Sequence, residues 1–257
     1  MTLVSCLMMT YNKAPKSLTL VEEAVECFLR QDWPDKELII VNDAPGQVLR
    51  FNNRYANIHL VNLPRRVHSL GEKVNVAASL AQGEVLFRWD DDDIHLPWRL
   101  SLSMARRGEA AYWKPSVSWW NDRGDMKLMA GFMAACCFTR TAFDAIQGCP
   151  HIGVGEDQAF ESAFLAKNLP VCVGPLLDRE AFYLYRWGTG SIHVSGFGEK
   201  GYEKTGQLPV ARGEFVLQPR WQQDYVDYAR QALARPGQNV PTRSRRLLRR
   251  VTTQRHA

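Results

Sequence analysis

The first 107 residues alternate short apolar runs with longer segments in which apolar residues recur every three or four positions. The short runs predict buried strands, and the helical periodicity predicts amphipathic helices between them. Strands are expected over residues 3–9, 37–41, 58–63 and 85–87, and helices from Ser17, over residues 72–82, and from Pro97 to about Arg107. Because crossovers between such strands are right-handed, this half should form a mostly parallel sheet.

The pattern becomes mixed after residue 107. Residues 112–120 and 127–138 flank the turn Asn121-Asp122-Arg123-Gly124, which predicts a hairpin followed by another strand. Further helices are expected over residues 141–146, 156–167 and 221–233, and strands over residues 171–173 and 182–185. The predicted fold class is α/β, with a mostly parallel sheet flanked by helices and a mixed second half that shares this sheet.

Composition narrows the class of protein. Of the 257 residues, 46% are hydrophobic and 23% are charged, which excludes a disordered or fibrous chain. The longest apolar run is far below the ~18 residues of a spanning helix, and residues 1–9 are expected to form a strand rather than a signal peptide. The six cysteines have neither zinc-site spacing nor secreted-scaffold density, so a cytoplasmic location is expected.

The net charge of +5 is unevenly distributed along the chain. From Tyr228 to the end there are eight arginines and no acidic residue, so the other 227 residues carry a net charge of −3. Residues 236–257 are therefore expected to form a flexible basic tail. Such a tail suits an anionic membrane surface or a nucleic-acid backbone, although a solvated disordered end is the simplest explanation of the charges.

Polar residues follow three of the expected strands, where ligands bind in open parallel sheets. These groups are Thr10-Tyr11-Asn12, Asn42-Asp43 and Asp90-Asp91-Asp92-Asp93. No G-x-G-x-x-G and no Walker lysine loop follows the first strand, which argues against a dinucleotide enzyme or a P-loop ATPase. Four adjacent carboxylates repel one another. A Mg²⁺ or Mn²⁺ ion shared with phosphate oxygens would relieve this repulsion, whereas a solvated acidic turn is the alternative.

These residues resemble a known family. Four segments stand in the order found in GT-A glycosyltransferases of family 2. They are Val4–Asn12, Glu37–Val41 followed by Asn42-Asp43, the stretch from Gly83-Glu84 through Trp89 to the four aspartates, and Gly155-Glu156-Asp157. The resemblance covers about residues 3–195. It implies inverting transfer from a nucleotide diphosphate sugar, a UDP-sugar in particular. It also implies a nucleotide-binding half over residues 1–107 and an acceptor-binding half over residues 108–235, within one GT-A domain over residues 1–235.

The resemblance implies donor contacts at Thr10, Tyr11, Asn12, Asp43, Lys73, Asp91 and Arg186. Tyr11 would stack on the nucleobase and Asp43 would accept its imide N–H. Lys73 would lie near the diphosphate or be a solvated helix lysine, and Arg186 would pair with a phosphate oxygen or with a surface acid.

The implied metal ligands are Asp91, Asp92, Asp93 and His193. The D-x-D pair fits either positions 90 and 92 or positions 91 and 93, and imidazole suits Mn²⁺ better than Mg²⁺.

The acids Glu156 and Asp157 are the implied catalytic residues. In the family pattern Asp157 is the general base, while Glu156 holds the acceptor or its loop. Acids in the first turn of a helix also interact favourably with the helix dipole, which is the structural alternative.

The function expected from the sequence is metal-dependent glycosyl transfer to a hydroxyl acceptor. The acceptor is open among glycans, lipid-linked sugars, proteins, small molecules and modified bases in nucleic acid. Two alternatives stand beside it: a nucleotidyltransferase of similar fold, disfavoured because residues 9–17 contain no glycine, and a non-catalytic nucleotide-sugar binding protein.

Overall fold

The computed structural model describes residues 2–152, 155–188, 204 and 207–235. In chain order the first half contains β1 (Val4–Thr10), α1 (Leu18–Leu29), β2 (Lys36–Asn42), β3 (Gln47–Phe51), β4 (Ile58–Asn62), α2 (Leu70–Leu80), β5 (Val85–Asp90), β6 (Ile94–His95) and α3 (Arg99–Arg107). The second half contains β7 (Tyr112–Pro115), β8 (Val117–Asp122), β9 (Asp125–Ala130), β10 (Cys137–Thr139), α4 (Arg140–Ala145), α5 (Glu156–Ala166), β11 (Val171–Gly174), β12 (Tyr183–Trp187), β13 (Gly213–Leu217) and α6 (Tyr225–Ala234). Short 3₁₀ helices occupy Met133–Ala135 and Asp178–Glu180.

The central sheet has seven strands in the order β11-β7-β10-β5-β1-β2-β4. Only β10 runs antiparallel to its neighbours in this sheet. Every residue of β1 is buried, as expected for a strand covered by helices on both faces. From β1 the chain adds β2 and β4 on one side and β5 on the other, so the strand order reverses between β1 and β5.

Two apolar layers cover the faces of this sheet. Alternate β1 residues point to opposite faces, so Cys6 joins the layer around Phe28 and Trp89, whereas Leu7 joins the layer around Val74 and Phe160. Helices α1 and α3 contribute to the first layer, and α2 and α5 to the second. The apolar faces that the sequence predicts for these helices are thus buried against the two faces of one sheet.

The expectation that both halves share one sheet is only partly right. Strands β7, β10 and β11 join the central sheet, whereas β8, β9 and β12 form a second sheet with β6. The chain leaves the first sheet between Pro115 and Val117, where Gly131 packs against the Pro115 carbonyl so closely that a Cβ would lie 1.7 Å from it. The hairpin itself is confirmed, since Asp122 pairs with Asp125 around a two-residue turn in which Arg123 and Gly124 both have positive φ.

The C-terminal part of the described chain returns to the first helix. Strand β13 pairs in parallel with β3, a short strand that the sequence pattern does not predict. The backbone N–H of Gln218 donates to Glu22 at 2.9 Å, and the Tyr225 hydroxyl donates to Glu23 at 2.5 Å. Both acids are buried in α1, so their partners come from more than 190 residues further along the chain.

Within the described ranges, no helix combines the length and the apolar character needed to cross a bilayer.

Candidate functional site

The three polar groups that follow strands meet at the carboxyl edge of the central sheet. Thr10 is paired with Asn42, and Met9 with Asp90, across neighbouring parallel strands. This edge coincides with the reversal of strand order between β1 and β5, which is where open α/β sheets bind ligands. The structure therefore brings the ends of β1, β2 and β5 together, as the sequence predicts.

The four aspartates have different surroundings. The side chain of Asp91 is 9% exposed, against 25% for Asp90 and 15% for Asp92, and Asp93 is fully buried, with 1% of the whole residue exposed. Asp93 accepts the Tyr183 hydroxyl and, at 2.7 Å, the backbone N–H of Arg186. Asp90 accepts the same Tyr183 hydroxyl at 3.1 Å. Strand β12 thus fixes Asp93 from the second sheet, while Asp90 and Asp92 present more surface to a ligand.

Lys13 is an internal cation of this site. Its Nζ lies 2.9 Å from Asp92 Oδ2 and 3.3 Å from Asp91 Oδ1, and the residue is only 5% exposed. Lys13 is not among the site residues predicted from the sequence. It directly follows Tyr11-Asn12 at the end of β1, and the adjacency of β1 and β5 is the signal that could have identified it.

The crowding of carboxylates remains in spite of Lys13. Burial raises the pKa of Asp90 to about 6, with further increases from the charges of Asp92 and Asp91. Burial and the neighbouring charge of Asp92 likewise raise the pKa values of Asp91 and Asp93. A group of oxygen ligands with excess negative charge fits Mg²⁺ or Mn²⁺. Among the described residues no three metal-ligating side chains converge on one point. An ion bound here would therefore need further oxygen ligands from a bound molecule.

The ends of β1 and β2 hold a second cluster of charges and an aromatic ring. Lys73 of α2 forms an ion pair with Asp43, and its Nζ also donates to the Thr10 carbonyl at 3.2 Å. The Arg66 guanidinium lies 3.8 Å from the centre of the Tyr11 ring. Asp43 is fully buried and also accepts the backbone N–H of Val67 at 3.2 Å. A base stacked on Tyr11 would share or displace the Arg66 contact.

Arg186 makes internal contacts with two other elements. Its NH1 lies 2.5 Å from Glu23 of α1, and its Nε donates to the Asp92 carbonyl. The residue is 8% exposed. Arg186 therefore joins β12, α1 and the Asp loop, and a contact with a phosphate stays a prediction.

Glu156 and Asp157 differ in burial, as the four aspartates do. Glu156 is buried, and its Oε1 lies 3.0 Å from Arg88 NH2 on β5. Asp157 is half-buried, and within the described part of the chain its Oδ1 accepts one local hydrogen bond, from the backbone N–H of Gln158 at 2.8 Å. Helix α5 starts after Gly155, whose φ of +74° favours glycine. Asp157 is thus the more exposed acid of this pair.

The remaining candidate residues lie around this edge. Asn12 has a φ of +50°, and its side chain donates to the Pro209 carbonyl at 3.1 Å. Trp119 is 1% exposed and belongs to the core, whereas Trp120 is half-buried, with its ring centre 5.2 Å from that of Tyr185. His193, Gly153 and the basic tail from residue 236 lie outside the described residues.

The first half of the chain matches the sequence pattern of a known family. The sequence model of glycosyl transferase family 2 matches residues 5–108. The match contains the ends of β1, β2 and β5, with Tyr11, Asp43 and the Asp run. No curated protein matches the sequence.

Solved structures share the fold at low sequence identity. TarS from S. aureus in complex with UDP-GlcNAc has 17% identity and a TM-score of 0.56, with 74% of this chain and 60% of that chain covered. The mannosyltransferase PcManGT from Pyrobaculum calidifontis, in complex with GDP-Man and Mn²⁺, has 14% identity and a TM-score of 0.55, with 97% and 79% covered. The chain spans 36% of one crystallised TarS chain and 60% of another.

These similarities confirm the predicted GT-A fold and the resemblance to family 2. They extend from the central sheet into the second half, since the match to PcManGT covers nearly the whole chain. The chain accordingly has a GT-A fold, and its residues 5–108 carry the sequence pattern of glycosyl transferase family 2.

Proposed function

We propose that this protein is a metal-dependent inverting glycosyltransferase that uses a nucleotide diphosphate sugar. The observation that carries the proposal is the group of four aspartates, with excess negative charge, at the strand-order reversal of a family 2 fold. TarS and PcManGT bind UDP-GlcNAc and GDP-Man. We assign a UDP-sugar to this chain because its β1 and β2 ends carry Tyr11 and Asp43, an aromatic ring and a carboxylate suited to a uracil base.

The metal would be Mn²⁺ or Mg²⁺, held through the carboxylates of Asp90 and Asp92. These two are the more exposed of the four, which favours the 90/92 register of the D-x-D pair. Lys13 contacts both Asp91 and Asp92, and Tyr183 donates to both Asp90 and Asp93, so burial rather than these partners separates the two pairs. Asp91 and Asp93 are buried, and we assign them to shaping the loop. When bound, the ion would stabilise the negative charge that develops on the diphosphate.

Asp157 is the proposed general base. The acceptor oxygen would attack the anomeric carbon from the face opposite the diphosphate, and the nucleoside diphosphate would leave with the bonding electrons. The hydroxyl proton would pass to the Asp157 carboxylate, which acts as the new bond acidifies that hydroxyl. Glu156, neutralised by Arg88, would hold the loop rather than accept the proton.

Residues 108–235 are the proposed acceptor half. Strand β12 leads away from Asp93, and Tyr183, Tyr185 and Trp187 alternate along it on one face. Trp120 lies beside this row, with its ring centre 4.5 Å from that of Trp187. Aromatic rings of this kind offer flat apolar surfaces with polar edges, which suits the face of a sugar or a similar acceptor.

The cysteines of the described chain form no disulfides, which supports the proposed cytoplasmic location.

A donor panel tests the proposed function. We expect release of UDP from a UDP-sugar with Mn²⁺ or Mg²⁺, and loss of this release in excess EDTA. Asp92→Asn and Asp90→Asn should abolish turnover, because each removes one charged ligand. Asp125→Asn, at the exposed first residue of β9 beside the hairpin turn, is the matched control and should keep wild-type activity.

Other results of the panel would lead to different conclusions. Full activity in EDTA would contradict the metal assignment. Binding of nucleotide sugars without any transfer or hydrolysis would indicate a non-catalytic binding protein. Release of pyrophosphate from a nucleoside triphosphate and a sugar phosphate would indicate a nucleotidyltransferase.

A further inference from the structure

Arg88 joins two acidic parts of the site that are far apart in the sequence. It lies on β5, two residues before Asp90, and is 5% exposed. One nitrogen, NH2, lies 3.0 Å from Glu156 Oε1 and 4.0 Å from Asp90 Oδ1. A single buried guanidinium thus lies near both Asp90, the first of the four aspartates, and Glu156, the first residue of α5.

The backbone of Arg88 is itself held in place. Its N–H donates to the Cys136 carbonyl at 3.2 Å, and its carbonyl accepts from the buried Arg99. The chain before α5 has a separate attachment, since Asn75 of α2 exchanges two hydrogen bonds with the backbone of Cys149, at 2.9 and 2.7 Å. The contact with Arg88 is therefore the attachment nearest to Asp157 in the described chain.

We propose that Arg88 is a positioning residue, which fixes Asp157 relative to the Asp run by holding the adjacent Glu156. This inference depends on the proposed function of Asp157 as general base. Without Arg88, the buried Glu156 carboxylate has no cationic partner and would move towards water. Asp157 is its covalent neighbour, so this movement would displace the base from the acceptor.

The same helix offers a matched control. Lys114 on β7 forms an ion pair with Glu161 in the middle of α5, at 2.5 Å and with both side chains less than one-fifth exposed. Both ion pairs fasten α5 to a strand of the central sheet, but only the Arg88 pair adjoins Asp157. Lys114→Met should therefore lower the melting temperature without slowing the reaction.

The test compares Arg88→Met, Glu156→Gln, the double variant and Lys114→Met. We expect both single variants at the Arg88 pair to lower kcat by at least ~10-fold, since displacement of a reacting group by about 1 Å costs up to ~100-fold. Affinity for UDP should change less than about threefold. Removal of both charges of a buried pair often restores stability, so the double variant should recover its melting temperature but remain slow.

Recovery of kcat together with the melting temperature in the double variant would show a purely structural role and overturn the proposal. Equal losses of kcat in Arg88→Met and Lys114→Met would also overturn it.

Amide hydrogen exchange separates this inference from the proposed function. Exchange at the Ala159 amide, which donates to the Gly155 carbonyl at 3.1 Å, should rise at least ~10-fold in Arg88→Met and stay unchanged in Lys114→Met. If the wild-type protein transfers no sugar, the proposed function fails, but this difference still decides whether Arg88 holds the start of α5. Equal exchange in the two variants would reject the positioning role.

Discussion

At the scale of single residues, partners distinguish acids that look equivalent in the sequence. Glu156 and Asp157 are neighbours in the sequence. Glu156 is buried against Arg88, whereas Asp157 is half-buried and, within the described residues, accepts one local hydrogen bond from the Gln158 N–H. The sequence predicts the location of the acids because each group follows a strand or opens a helix. Their partners Lys13, Arg88 and Tyr183 depend on strand register and on packing between sheets, which local patterns do not contain.

Asp157→Asn is the most direct test of the proposed base. The amide keeps the size of the side chain but cannot accept a proton, so turnover should fall by about 10²–10⁴-fold. UDP affinity should be unchanged, because the group faces the acceptor. Gln158→Ala, at the exposed next position, should keep wild-type turnover. A normal single-turnover rate with a lowered melting temperature would instead support the helix-dipole role.

The cysteines give a prediction about thiol chemistry. Burial raises the pKa values of Cys6, Cys27 and Cys149 to about 12 and that of Cys136 to about 11, so these thiols stay protonated at pH 8. Cys172 is the only half-buried cysteine of the described chain. Brief alkylation with iodoacetamide at pH 8, read by peptide mass spectrometry, should label Cys172 first. Equal labelling of Cys136 would contradict the burial of this residue, which directly precedes β10.

At the scale of elements, α2 connects the donor and acceptor sides of the site. It carries Lys73, which pairs with Asp43, and Asn75, which holds Cys149. The sequence predicts this helix but starts it at Glu72, whereas the structure starts it at Leu70 after a Ser69 cap. The earlier start brings Gly71 against the Pro150 carbonyl, a contact that no local pattern indicates.

Gly71→Ala tests this close approach. A Cβ at this position would lie 1.8 Å from the Pro150 carbonyl oxygen, so α2 and the loop before α5 would have to separate. We expect a loss of about 1–3 kcal/mol in the free energy of unfolding, typical of overpacking, together with reduced turnover. Ser79→Ala on the exposed face of α2 is the control. The free energy of unfolding is measured by denaturant titration. An unchanged value in Gly71→Ala would contradict this packing.

At the scale of the whole molecule, charge is separated along the chain. The eight arginines beyond Tyr228 stand against a net charge of −3 for the rest. We propose that residues 236–257 bring the protein to an anionic membrane surface, and their deletion should spare turnover of a small acceptor while reducing binding to anionic vesicles. Binding of the full chain should weaken steeply with salt. Undiminished vesicle binding by the truncated protein would place the contact elsewhere, and selective loss of DNA binding would indicate a nucleic acid.

The return of the C-terminal segment to α1 has a consequence for synthesis on the ribosome. Glu22 and Glu23 are buried in the first helix, but the groups that bond them, at Arg186, Gln218 and Tyr225, are translated at least 163 residues later. The family 2 segment, residues 5–108, leaves the exit tunnel with these two carboxylates unpaired, and burying an unpaired charge is costly. The nascent first half should therefore stay open, and available to chaperones, until most of the chain has been made.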